Sequence, residues 1–434
     1  MGLRRLVSAC CCASLLLTMA VLADRFHEQR DAPLHALGIA VDSSGRTVEV
    51  SSAQATYVDA RATRGAAEQR RDQLRWLAAG TVPDVAGIDR SLFTGALLDL
   101  HLLGRDHGVT VAGWTPQWRY VWPRDSAVAV SAFVRTGHRA EAEALLSFLQ
   151  SSQDQRGLFQ ARYVPDRPGV APDSRGVQFD GTGWALWGLA ELVRRAPPGE
   201  RRRAVQRYRQ LLDRSTGALL SGIDHGTGLP FPSPDYWETS APRWQTGEVT
   251  LATAAITLAG MRSAGYLYGV SGTAPPAALD GARDALQRVI VEQYGPSGYP
   301  RRVGEGPAAV DLGVSFLLPP IGDLDLPGVR AAWQRAPAAM TRPAGGLAPG
   351  GSWRRDGISW TPTVALYAMA AACADPAAAR HWLGWLAAHR TALGALPEKV
   401  TEDGSPASVA PLAWTAAAVL VAGDELNRGC VPSR

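Results

Sequence analysis

Residues 361–390 read TPTVALYAMAAACADPAAARHWLGWLAAHR, and the fold follows from how this stretch divides. Apolar residues recur at helical spacing on both sides of Asp375-Pro376, with no strand-like alternation. Asp375 offers a side-chain oxygen to the free N–H groups of a helix start, and proline is tolerated in a first helical turn because it has no N–H to lose. A helix over 361–374 therefore turns at one residue into a second helix over 376–390. That is a helical hairpin.

The same periodicity extends in both directions. Helices are predicted over 89–104, 124–136, 139–151, 181–195, 200–213, 246–266, 276–293, 308–317, 326–339 and 411–426. Pro123 suits the first turn of its helix, Asp180 can cap 181–195, and Pro197-Pro198 ends that helix. Short connections at 137–138, 196–199 and 375 contrast with long Gly/Pro/Trp-rich loops at 105–122, 214–245, 295–307, 340–360 and 391–410. Helix pairs closed into a toroid give this contrast, with short turns on one rim and long loops on the other. No fixed-length repeat supports a solenoid. Strands do not alternate with the helices, which disfavours TIM-barrel and Rossmann architectures. Ahead of the helices, Thr47-Val48-Glu49-Val50 and Ala55-Thr56-Tyr57-Val58 alternate weakly and predict a short strand or two in a lead-in over residues 24–88. Residues 427–434 form a tail.

Arg4 and Arg5 precede an uncharged, largely apolar run over residues 6–23, and charge resumes at Asp24. This is the arrangement of an export signal, either cleaved near Ala23 or kept as an anchor, since the run is nearly long enough to span a bilayer. The expected location is outside the cytoplasm, secreted or tethered at the surface. Three of the five cysteines, Cys10, Cys11 and Cys12, lie within that run. Cys373 and Cys430 remain, either as a pair or as one buried and one free thiol. No Cys/His spacing suits structural zinc, and no cofactor or metal is expected. The net charge of +4 is not gathered into a basic stripe, and neither a Walker loop nor a strand-linked glycine fingerprint is present. Nucleic acid and nucleotide partners are therefore not expected. Fourteen tryptophans against eight phenylalanines suit a protein that stacks indoles on flat ligand faces.

Residues able to carry chemistry fall mostly in the long loops. Trp114 to Asp125 sets aromatic faces, including Trp122, beside Arg124 and Asp125 at a helix start, and sugar hydroxyls need such neighbouring donors and acceptors. Gln178-Phe179-Asp180-Gly181-Thr182-Gly183-Trp184 opens another helix. Asp235-Tyr236-Trp237-Glu238-Thr239 places a carboxylate beside an indole, a setting that favours a general acid. Arg354 and Arg355 lie between Trp353 and Trp360. Leu396-Pro397-Glu398 supplies a second carboxylate. On a toroid these loops share one rim, so Glu238 and Glu398 would face each other across a cleft. Glycosidic bond hydrolysis uses one carboxylic acid on the leaving oxygen and one carboxylate on water or the anomeric carbon.

From about Leu92 to Leu426 the chain resembles glycoside hydrolase family 15, the glucoamylase family, which includes glucodextranases and some trehalases. The resemblance is strongest at Arg119-Tyr120-Val121-Trp122-Pro123-Arg124-Asp125-Ser126 and Asp180-Gly181-Thr182-Gly183-Trp184. It implies an all-α (α/α)6 barrel over 89–426 and an inverting mechanism that releases β-glucose from chain ends. It also implies Glu238 as general acid, Glu398 as general base, and Arg124, Asp125 and either Arg354 or Arg355 on the glucosyl unit, with Trp122, Asp180 and Trp237 nearby. Thr239 stands where the family usually carries a second acidic residue. Residues 24–88 are too few for the N-terminal β-sandwich of many bacterial relatives.

The reading is thus an inverting glycosidase acting on terminal α-glucosidic bonds of α-glucan oligosaccharides. Trehalose, an envelope glycan, or sugar binding without turnover remain alternatives. Prenyltransferases and triterpene cyclases also use helical toroids, but they need Asp-rich ionising motifs or zinc ligands, and Asp323-Leu324-Asp325 is a feeble match.

Overall fold

The computed structural model describes residues 33–52, 60–238, 248–322 and 326–428. The predicted signal, Ala55 to Val58, Thr239, Asp323 to Asp325 and Cys430 lie outside the described residues. A two-stranded antiparallel hairpin, β1 (Gly38–Val41) and β2 (Thr47–Val50), precedes helix α1 (Ala67–Ala78). Thr47 to Val50 thus pairs with a strand before it, which the sequence did not flag.

The remaining helices form pairs. Six segments make an inner ring: α3 (Pro123–Arg135), α5 (Asp180–Arg195), α8 (Leu251–Ser271), a 3-10 helix at Leu312–Leu317, α11 (Thr361–Ala374) and α13 (Ala413–Arg428). Each packs on the next, and α13 packs back on α3, which closes the ring. Outside it lie α2 (Arg90–Arg105), α4 (Arg139–Ser152), α6 (Arg201–Arg207) with α7 (Arg209–Ser221), α9 (Leu279–Tyr294), α10 (Val329–Met340) and α12 (Pro376–Ala388). This is an all-α six-hairpin toroid.

Burial explains which helix goes where. α8 and α11 are apolar on nearly every face and are buried almost throughout, as inner helices must be. Outer helices such as α9 and α12 bury one stripe only, whereas α2, which the lead-in covers, is buried over most of its length. α5 and α8 cross closely at Gly183, where a Cβ would stand 2.3 Å from the Ile256 carbonyl oxygen. A side chain there would push the two inner helices apart.

The hairpin at residues 361–388 forms as read, with Asp375 accepting from the N–H groups of Ala377 and Ala378. Three expectations need correction. Residues 308–317 are not an α-helix: Asp311 caps a 3-10 turn by accepting from Gly313 N–H, and Pro319 and Pro320, which lack N–H groups, prevent its extension. The helix predicted over 200–213 breaks at Tyr208 (φ −107°, ψ 27°), whose hydroxyl donates to the Glu143 carbonyl at 2.9 Å, and helix resumes to Ser221. Asp180 does not cap α5. It is the first helical residue, Phe179 occupies the cap position, and no side-chain cap bond forms.

Inner-to-outer connections are short, as at residues 136–138 and 375. Outer-to-inner connections are long and collect at the opposite rim, where they build one cleft.

Candidate active site

A cavity of about 310 Å³ opens on the long-loop rim, and both Glu238 and Glu398 line it. Trp118, Trp122, Arg124, Asp125, Trp237, Trp353, Trp360 and Trp414 share its wall. The two carboxylates that stand 160 positions apart in sequence (398 − 238) therefore meet at one gap.

Glu238 is fixed from several directions. Its backbone adopts φ 47°, a left-handed conformation that a non-glycine residue holds only under constraint. The constraint is an ionic clamp beneath the loop. Asp235 accepts both the Trp237 N–H at 3.0 Å and two hydrogen bonds from Arg301 at 2.7 and 2.6 Å. The Arg301 guanidinium lies 3.6 Å from the Trp237 ring centre and reaches Asp311 at 2.5 Å. The Glu238 carboxylate accepts from Trp122 Nε1 at 2.8 Å and from Arg124 Nη2 at 3.4 Å, and Arg175 pairs with its other oxygen.

Glu398 sits at the start of β4 (Lys399–Val400), the middle strand of a small sheet with β3 (Ser359–Trp360) and β5 (Pro406–Ala407). Its backbone N–H donates to Val409 O at 2.8 Å, and its carbonyl accepts from Thr361 N–H at 3.0 Å. Its carboxylate accepts from Ser408 Oγ at 2.6 Å and from Trp118 Nε1 at 3.3 Å, with Lys399 Nζ at 3.5 Å. Ser408 is also left-handed, at φ 66°. Two of the three left-handed non-glycine residues among those described thus belong to the carboxylate pair and its partner. The lead-in segment braces this corner: Ser408 N–H donates to Pro33 O at 3.1 Å, and His35 packs 5.5 Å from Trp118 between ring centres.

Arg124 and Asp125 occupy the first turn of α3 and are buried. Arg124 donates from Nε to Asp125 at 3.1 Å and stacks 4.5 Å from the Trp414 ring centre. Burial raises the Asp125 carboxyl to about 6, with Glu238 and Glu398 adding to the rise and Arg124 opposing it. Asp180 lies behind Arg124. Burial raises it to about 7, with Arg124 opposing and Asp235 and Glu238 reinforcing. Several buried donors around the cleft have no hydrogen-bond partner: Arg124 Nη1 and the indole N–H groups of Trp237, Trp353, Trp360 and Trp414. Leaving such donors unpaired is costly unless a polar ligand meets them.

The structure thus brings Trp122, Arg124, Asp125, Trp237, Glu238 and Glu398 to the cleft wall, with Asp180 just beneath it. It does not bring Arg354 or Arg355 there. Both are exposed, because it is Trp353 that turns inward and Arg354 that lies outward over its ring, 5.4 Å from the centre. The arginines that join Arg124 on the wall are Arg162 and Arg175, from the connection between α4 and α5. Arg162 pairs with Asp173 and lies 4.3 Å from the Tyr120 ring centre. No motif marked these two. The length of their loop, 27 residues between helices ending at Ser152 and starting at Asp180, was the available signal. Among the described residues, no group of three or more His, Cys, Asp or Glu side chains is placed to hold a metal ion.

No protein-family profile matches the chain, and no curated protein matches its sequence. Its fold is similar to those of solved glycosidases. A glycosidase variant superposes with a TM-score of 0.64 at 19% identity, covering 77% of this chain and 96% of its own. A bacterial glucoamylase complexed with acarbose gives 0.59 at 17% identity, covering 84% of this chain and 62% of its own. A family 63 mannosylglycerate hydrolase from Thermus thermophilus, in complex with glucose, gives 0.55 at 16% identity, covering 76% and 99%. At these identities the likeness is one of fold. It takes in both glucoamylases and a family 63 enzyme, and does not single out family 15.

Proposed function

We propose that the chain is a glycoside hydrolase in which Glu238 protonates the leaving oxygen and Glu398 activates water. The observation that carries this reading is that two carboxylates line one small cavity walled by indole faces and unpaired polar atoms. A pyranose presents apolar C–H faces to rings and a girdle of hydroxyls to donors and acceptors. The cavity volume is at the small end of ligand sites, which fits a single terminal sugar with part of its neighbour.

The proposed chemistry follows from the partners. Arg124, Asp125 and the indole N–H groups orient the terminal sugar. Glu398, held by Ser408 and Trp118, takes a proton from water as it attacks the anomeric carbon. Glu238 donates a proton to the departing oxygen, while Arg175 holds its other oxygen. Attack by water from the face opposite the leaving group inverts the anomeric centre. The resemblance to the glucoamylase family favours an α-glucosidic bond at a chain end, and β-glucose as product. The charge pattern of residues 4–24 favours an exported protein. Among the described residues, no helix is long and apolar enough to cross a membrane.

The test is incubation with maltose, isomaltose, trehalose and maltotriose, with the first anomer released read by NMR. Early β-glucose is expected. Early α-glucose would overturn the inverting assignment. A lack of release from every α-glucoside would overturn the α-glucosidase reading and leave the envelope-glycan and sugar-binding readings. Selective cleavage of trehalose would fix that disaccharide as the substrate.

A further inference from the structure

A second cavity, of about 450 Å³, adjoins the first, and Arg175 lines both. Arg175 is also the residue that pairs with Glu238. In the reaction proposed above Glu238 is the acid, and an acid stands on the leaving-group side of the scissile bond. The second cavity therefore lies on the aglycone side of the cleft.

Its wall differs in chemistry from that of the first. Leu158, Val177, Phe179, Phe231, Pro232 and Pro234 are among the residues that line it. The polar side chains among its lining are already engaged. Ser233 Oγ accepts from Phe179 N–H at 3.2 Å and donates to Pro234 O at 3.1 Å. Ser221 Oγ donates to Ala218 O at 3.3 Å, and Arg156 pairs with Asp154 at 3.4 Å. Arg175 itself is taken by Glu238 and Asp173. Apart from the terminal nitrogens of the solvent-exposed Arg156, few donors or acceptors are left to read the hydroxyls of another sugar, whereas the first cavity has several.

Phe231 adds a second observation. It is 48% exposed, although water contact with an aromatic ring of this size is unfavourable. It is not on a loose loop. Its N–H donates to Gly222 O at 2.8 Å, and the turn behind it is tied by Asp224, which accepts from Gly226 and Thr227 N–H groups at 3.0 and 2.8 Å. The ring faces solvent from a hydrogen-bonded backbone, on the edge of an apolar hollow.

We propose that this second cavity is an aglycone subsite for an apolar group, an alkyl chain or aryl ring, carried by the glycoside that is cleaved next door. The proposal rests on the hydrolase reading for its direction, and the experiment separates the two. Full-length Glu238→Gln protein, unable to turn over, is titrated calorimetrically with methyl and octyl α-glucoside. The octyl compound is expected to bind roughly tenfold more tightly or better, since each buried methylene adds to affinity. In Phe231→Ala and Ser221→Trp backgrounds, which remove the ring or fill the hollow from its exposed edge, the octyl-to-methyl ratio should fall towards one. A ratio near one in the parent, or a ratio unchanged by both substitutions, overturns the subsite. Wild-type protein is assayed in parallel for cleavage of octyl α-glucoside. Absence of cleavage with the ratio intact counts against the α-glucosidase reading and leaves the apolar site standing.

Discussion

Helix α3 carries a buried arginine at each end, and the two are used differently. Arg135, in the last turn, lies towards the short-turn rim. It donates to Glu191 and Asp424 at 2.9 Å each, pairs with Glu425 at 2.5 Å and donates from Nε to Ser131 at 3.0 Å. All three of its nitrogens are occupied. Arg124, in the first turn, faces the cleft with Nε on Asp125 and Nη2 on Glu238, while Nη1 has no partner. A closed ionic network holds helices together. An open one leaves polar capacity for something that arrives later. The difference is the one expected if the short-turn rim serves stability and the long-loop rim serves binding, with one helix as its own control.

That contrast can be broken in four ways. Glu238→Gln and Glu398→Gln should each lower kcat on the best α-glucoside by about 10³-fold, the scale of general acid or base catalysis, with the far-ultraviolet circular dichroism unchanged. A loss below tenfold for either would remove that residue from the chemistry. Arg135→Met takes a buried counter-charge from three carboxylates, Glu191, Asp424 and Glu425, and it should destabilise the fold by about 3–5 kcal/mol in urea titration. If stability holds, the network on the short-turn rim is not structural. Arg124→Lys should cost about 10–100-fold in kcat/KM with a much smaller change in urea midpoint, because lysine lacks the planar fork that spans Asp125 and Glu238. An effect on stability equal to that of Arg135→Met would erase the distinction between the two ends.

The subtlest effect is on pH. The Asp180 carboxyl is raised to about 7 in the folded state against an ordinary aspartate value of 3.8. The folded protein therefore holds a proton there that the unfolded chain releases. This contribution to stability is full below about pH 4 and is lost as pH climbs through 7. Asp180→Asn lacks it, so the Tm of the variant relative to wild type should rise by a few degrees between pH 4.5 and 8. A difference that stays flat with pH would show that Asp180 titrates normally.

How much of this was legible beforehand depended on whether a signal was local. The hairpin at 361–388 was, because the cap, the proline and the apolar spacing lie within a few residues of one another. So was Pro123-Arg124-Asp125 at a helix start. The 3-10 helix at Leu312–Leu317 was misread because apolar spacing over so few residues does not distinguish helix types, and the two prolines that stop it come after the pattern. Arg175 was invisible: it is an ordinary arginine in a loop rich in Gly, Pro and Asp, and its importance comes from Glu238, 63 positions away. Arg354 and Arg355 failed for the converse reason. Their aromatic neighbours marked the loop correctly, but which side chains of that loop turn inward is a matter of backbone direction.

The indoles of Trp118 and Trp122 each donate to one of the two carboxylates. They are four positions apart on a single strip of chain that runs directly into α3. Both carboxylates are thereby tied to one strip of five residues. In glycosidases the spacing between the two carboxylates decides whether a water molecule or the carboxylate itself reaches the sugar. Stereochemical outcome would then be a property a lineage could alter by lengthening or shortening one loop, with neither glutamate touched.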